Sequence, residues 1–121
     1  ARTYPEVLKQ IQSRGHELAC HSDKHLFVRE MTPELFDQDL RQSLDSIENA
    51  IGEKVKAFRA PAFSISEDAT WAFEVLAENG IEIDCSIFPS TRSFGGFPSF
   101  GEAKPTLITK SKNFRSAQPH F

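Results

Sequence analysis

Apolar residues return every three or four positions between Thr32 and Ile51, at Phe36, Leu40, Leu44, Ile47 and Ile51. That period places them on one face of a helix, which should face a core. The ends carry matching signals. Thr32 can cap, Pro33 suits the first helical position, and Glu34 favours the positive helix start. Gly52 suits the stop. A shorter helix is predicted from Tyr4 to Arg14, with Val7, Leu8 and Ile11 as its apolar face and Gly15 after its end. A third starts at Ser66, Glu67 and Asp68 and runs through Trp71, Val75 and Leu76 to Asn79-Gly80. Trp71 falls on its core face, so packing is its expected role.

Between the helices lie short, mostly apolar runs at Glu17–His21, Val55–Arg59 and Ile81–Asp84. They are too brief for helices and read as buried strands. Strands alternating with helices of this length predict right-handed crossovers and a parallel sheet, an α/β fold. After Pro89 the pattern changes. Gly95-Gly96, Pro98, Gly101 and the aromatics Phe94, Phe97 and Phe100 mark a loop with aromatic anchors, which could equally line a sugar groove. Thr106–Thr109 is a candidate fourth strand.

Composition narrows the partners. Hydrophobic residues make up 39% of the 121, enough for a packed core in a single domain. A net charge of -3 with scattered basic residues gives no nucleic-acid footprint. The mild basic cluster of Lys104, Lys110, Lys112 and Arg115 reads as a solvated loop. Cys20 and Cys85 sit in apolar runs and read as free thiols, which fits a reducing, cytoplasmic setting. No run is long and apolar enough to be read as a membrane-spanning helix, and no signal peptide is visible. The chain opens as if already inside a helix, so an upstream segment is expected.

The chemistry concentrates in Gly15-His16-Glu17-Leu18-Ala19-Cys20-His21-Ser22-Asp23-Lys24-His25, which holds three of the four histidines. His21 and His25 are four apart, and two neutral imidazoles held together are good ligands for zinc or a similar divalent metal. They are an incomplete set, because a catalytic metal usually takes three protein ligands. In parallel α/β folds the site lies beyond the carboxyl ends of the strands. His21, Arg59 and Asp84 each stand at such an end and would converge if their strands are neighbours.

At this point the sequence resembles a known family. The eleven residues Gly15 to His25 look like the histidine motif of the polysaccharide deacetylases, carbohydrate esterase family four. Arg59-Ala60-Pro61 resembles the family's next motif, and Asp84-Cys85-Ser86-Ile87-Phe88-Pro89 resembles one found in a bacterial envelope- and exopolysaccharide branch. The resemblance covers about residues 5 to 108. It implies an irregular (β/α) barrel with parallel strands, of which this chain is part. It implies that His21 and His25 bind a divalent metal, zinc first, and that Ser22 braces their loop. Arg59 would orient and charge-stabilise a catalytic aspartate, and Pro61 and Phe63 would shape the substrate groove; Asp84 is either a further groove residue or a structural turn residue. The implied reaction is hydrolysis of acetyl groups from N-acetylated sugars of a polysaccharide or lipid-linked oligosaccharide, at carbon–nitrogen bonds other than peptide bonds.

The departures matter as much. The family's paired aspartates, one the base and one the third metal ligand, have no counterpart here. The simplest expectation is that they lie upstream of Ala1, that the single domain spanning 1–121 is incomplete at both ends, and that the chain alone is inactive. His120 does not sit in the setting of the family's acid histidine, and His16 reads as structural support. Open sheet edges would then invite self-association. The alternative is a non-catalytic carbohydrate-binding or scaffold domain that has lost the aspartates. A small structural zinc domain needs four closed ligands, for which the two cysteines are poorly spaced.

Overall fold

A computed structural model describes residues 1–101 and the pair 115–116. Three helices accompany a short parallel sheet. Helix α1 runs Pro5–Ser13, α2 runs Pro33–Ile51 and α3 runs Trp71–Glu78. The strands are β1, Ala57–Phe58, β2, Ile83–Asp84, and β3, Arg115–Ser116, in the spatial order β1-β2-β3 with every pairing parallel. Cys20 extends the sheet on the far side of β1 through a parallel bridge to Phe58. The Cys20 N–H donates to Ala57 O at 2.8 Å, and the Arg59 N–H donates back to Cys20 O at 3.0 Å.

Helix α2 forms where its periodicity predicts. Thr32 Oγ1 accepts from the Leu35 N–H at 3.3 Å, and Gly52 closes the helix in the left-handed conformation at φ 74°. Its inward face buries Phe36, Leu40, Leu44 and Ile47. Phe36 meets the Phe58 ring of β1 at 5.7 Å and the half-buried Trp71 of α3 at 5.9 Å, both edge-to-face, so one aromatic side chain ties sheet and two helices together. Ala72, Phe73, Val75 and Leu76 complete the core from α3.

The sheet differs from expectation in extent. The Glu17–His21 strand contracts to the single bridge at Cys20, and the other two predicted strands to two residues each. Short apolar runs flanked by polar strand ends make little ladder. Pairing stops as soon as the chain turns into the loops beyond His21, Arg59 and Asp84. Thr106–Thr109 lies outside the described residues, as do His120, Lys104, Lys110 and Lys112, and β3 falls at Arg115–Ser116 instead. The α3 region begins with a 3-10 turn at Glu67–Ala69 rather than a full helix.

Helix α1 departs more sharply. It lies against α2, yet Val7 and Ile11 of its predicted apolar face remain 50% and 38% exposed. Leu8 alone of the three packs against the core.

Candidate functional site

The parallel sheet brings the ends of adjacent strands to one side, and His21 and Arg59 follow the bridged pair Cys20 and Phe58. Cys20 and Phe58 turn inward and are buried, so the pleat turns the next residues, His21 and Arg59, outward, where both are exposed. The two are joined directly. His21 Nδ1 lies 2.7 Å from Arg59 O. A carbonyl oxygen can only accept, so Nδ1 carries a proton, and in the neutral tautomer of the ring this leaves the Nε2 lone pair for a ligand. A backbone carbonyl fixing the tautomer and orientation of an imidazole is the usual support of a metal-ligating histidine.

His25 completes the pair. Its ring centroid lies 5.0 Å from that of His21, with the planes at 72°. Two imidazoles on one tetrahedral ion, each bound through nitrogen at about 2.0–2.1 Å, would stand roughly 5 Å apart between centroids. The donor pair therefore fits a divalent ion. No group of three or more His, Cys, Asp or Glu able to hold a metal occurs among the described residues. Cys20, next to His21, is buried in the core with its thiol engaged by Ser43. Burial raises its thiol above the ordinary value, outweighing the opposing hydrogen bond to Ser43, and the Asp39 and Asp23 carboxylates push the same way. It stays protonated and donates to Ser43 Oγ at 3.2 Å.

The loop between the histidines is held in an unusual conformation. Ser22 and His25 both adopt positive φ, 64° and 57°. For residues with a Cβ this costs roughly 1–2 kcal/mol each. Local hydrogen bonds offset it, each contributing about 1 kcal/mol. Ser22 Oγ accepts from the His25 N–H at 2.9 Å. The buried Asp39 carboxylate of α2 accepts from the N–H groups of Asp23 at 2.9 Å and Lys24 at 3.0 Å. Ser43 Oγ donates to Ser22 O at 3.1 Å. Downstream of His25, Ser64 Oγ accepts from the Val28 N–H at 2.9 Å and Ser64 O from the Arg29 N–H at 3.1 Å. The histidine loop is thus tied to the segment that follows Arg59.

The residues expected to shape a groove divide. Phe63 is half-buried, with its ring 5.4 Å from Phe88, and the Arg92 guanidinium lies 3.9 Å over Phe88. The loop carrying these groups is clamped to Phe63. The Gly96 N–H donates to Phe63 O at 2.9 Å, and a Cβ on Gly95 would come within 2.2 Å of the same oxygen. Phe94 is 55% exposed, and its ring lies 5.4 Å from that of Phe27, two residues past His25. Phe97 and Phe100 pack against the core, as anchors do.

Pro61 and Asp84 do not line an open surface. Pro61 is fully buried. Asp84 has no exposure, and its register partner is Phe58, so both side chains lie on the same inward face of the sheet. Its carboxylate accepts from Ser86 Oγ at 2.5 Å and from the Ser86 N–H at 3.1 Å, and Ser86 Oγ in turn accepts from the Ala60 N–H at 2.8 Å. Pro61 is thus buried rather than lining a groove, and of the two roles open to Asp84 its burial and bonds match the structural one. The pleat decides it, because a strand's last residue faces inward or outward according to parity.

Asp39 and Ser43 escaped the sequence reading. The available signal was their spacing. They fall three and seven residues after Phe36, so two polar residues share the buried face of α2.

Comparison with known proteins bears on the family and the fold. Residues 1–83 match a family model described as polysaccharide deacetylase. Comparison with curated proteins finds no match. Among solved structures, a family 4 carbohydrate esterase from Streptomyces lividans superposes with a TM-score of 0.62 at 21% identity, over 69% of this chain and 42% of that one. The catalytic domain of a peptidoglycan N-acetylglucosamine deacetylase from Eubacterium rectale gives 0.55 at 22% identity, over 69% and 41%. A pseudoenzyme of the same esterase family from Bacillus anthracis gives 0.59 at 15% identity, over 88% and 34%. These likenesses show the fold, a distorted α/β barrel of which the described elements are part, and the chain spans less than half the length of each. With the match extending over more than half of its residues, the chain belongs to the polysaccharide deacetylase family.

Proposed function

We propose that this chain is the histidine-bearing part of a metal-dependent deacetylase that removes acetyl groups from N-acetylated sugars of a polysaccharide or lipid-linked oligosaccharide. The observation that carries the reading is the His21–His25 pair, 5.0 Å between ring centroids, with His21 Nδ1 engaged by Arg59 O so that Nε2 remains for a ligand. A bound divalent ion, zinc first, would supply Lewis acidity at the acetyl carbonyl and an acidified water. His21 and His25 would hold it, and Ser22 would keep the two rings converged. Arg59, exposed beside His21, would stabilise the charge of a carboxylate base. In this proposal the third ligand and the base come from outside the described residues.

One observation favours a second reading. A pseudoenzyme shares the fold, and no three-ligand group stands among the described residues here, so a carbohydrate-binding domain without turnover is the alternative. The deciding experiment measures acetate release from N-acetylated oligosaccharides by the full-length protein, with and without added Zn²⁺. The enzyme reading expects turnover that chelation abolishes and that His21→Ala and His25→Ala remove. Saturable sugar binding with no acetate release from the metal-loaded protein would overturn it.

A further inference from the structure

Asp39 is only 4% exposed, yet both of its hydrogen bonds serve the main chain of another segment, the N–H groups of Asp23 and Lys24. One turn along α2, Ser43 is equally buried and donates to Ser22 O. Residues four apart lie on the same helix face, so α2 presents the two side chains together. Three consecutive residues, Ser22, Asp23 and Lys24, are therefore tied to the helix through their backbone. They are the residues that separate His21 from His25.

We infer that Asp39, assisted by Ser43, is a positioning residue for the histidine pair, setting the backbone path that brings the His21 and His25 rings together. This rests on the metal reading above. The residue type follows from the task. An ionised carboxylate only accepts, and its two oxygens meet two adjacent N–H donors. An asparagine would turn an NH₂ group toward one of them. With the anchor gone, Ser22 and His25 would leave their left-handed conformations for ordinary backbone, and the His25 ring would swing away from His21.

The test uses the full-length protein with Co²⁺ as the probe and three variants, Asp39→Asn, Ser43→Ala and Val75→Ala. Val75 is a buried residue of α3 outside the loop, so its truncation is a general destabilisation control. Three quantities are read: Co²⁺ affinity and visible spectrum, amide exchange at Asp23 and Lys24 without metal, and thermal stability. Asp39→Asn should weaken Co²⁺ about 10- to 100-fold, change the ligand-field bands and speed exchange at both amides. Ser43→Ala should weaken Co²⁺ about threefold. Val75→Ala should lower the melting temperature while leaving Co²⁺ affinity and spectrum unchanged. A folded Asp39→Asn protein with wild-type affinity and spectrum overturns the inference, as does an equal loss in Val75→Ala. If Asp39→Asn fails to fold, Ser43→Ala decides by the same readouts. If His21→Ala leaves Co²⁺ binding intact, the metal reading itself fails. Exchange at Asp23 and Lys24 then decides the anchor alone, and unchanged exchange in Asp39→Asn rejects it.

Discussion

Two strand ends in this molecule carry polar residues that the sequence offers as site candidates, and they do opposite things. At the end of the Cys20 bridge, His21 and His25 point outward while other groups satisfy the backbone around them: Ser22, Asp39 and Ser43. At the end of β2, Asp84 and Ser86 point inward and themselves satisfy the backbone, down to the Ala60 N–H. The first arrangement leaves polar atoms free for a ligand. The second consumes them. A strand-end polar residue thus belongs to a site only if something else has taken over its structural duties.

Substitutions can break this contrast. The largest effect is expected at the inward end. Asp84→Ala removes the acceptor of two bonds from Ser86 in a fully buried position, and should destabilise the fold by about 3 kcal/mol. Chemical denaturation measures it, and a loss below about 1 kcal/mol would mean that Asp84 is not structural. The outward end should respond in the opposite currency. His21→Ala should lower divalent-metal affinity at least about 100-fold, yet change stability by less than about 1 kcal/mol, because the ring is exposed. Isothermal titration beside thermal melting separates the two, and a reversed pattern would erase the distinction between the ends. Ser22→Ala lies between. It should cost about 1 kcal/mol and weaken metal binding less than His21→Ala does, since it removes one bond to the His25 N–H.

The smallest effect sets the baseline. Asp37 bridges α2 to the end of α3, accepting from Arg41 Nε at 2.7 Å and from Asn79 Nδ2 at 2.7 Å. These bonds, Arg41's foremost, hold its carboxyl below the usual carboxylate range. A carboxyl with a depressed folded pKa stabilises above its unfolded value and loses that contribution as pH falls through the folded one. Asp37→Ala should therefore cost only about 0.3–0.5 kcal/mol at neutral pH, discounted for solvent screening, and less at strongly acidic pH, where the charge-dependent part is lost. A pH series of melting curves checks this, and an effect as large as that of Asp84→Ala would show that surface pairs, not the buried network, dominate the polar contribution.

Legibility followed period and parity. The α2 stripe was readable because a 3.6-residue period repeats over nineteen residues, with Thr32 and Gly52 marking the ends. Helix α1 was readable as a helix but not as an exposed one, because Val7 and Ile11 carry no information about what will cover them. The strands at Glu17–His21, Val55–Arg59 and Ile81–Asp84 were placed correctly but drawn too long, since a short apolar run does not reveal where its partner's ladder stops. Asp84 stayed open between a groove role and a structural one because its inward or outward direction depends on a register set by β1. Asp39 was missed because a polar residue in a core stripe gains meaning only when the segment opposite it is known.

By itself the sequence determined the α/β alternation, the bounds of α2 and the histidine pair, because these depend on residue type and spacing within one continuous segment. The tertiary structure alone decided which polar strand ends face solvent, which nitrogen of His21 is left for a ligand, and that α2 holds the histidine loop in place. Each of these rests on a contact between segments distant in sequence: Arg59 O on His21, Phe58 in register with Asp84, and Asp39 on the Asp23 and Lys24 amides. Such contacts arise from packing, and local spacing does not encode them.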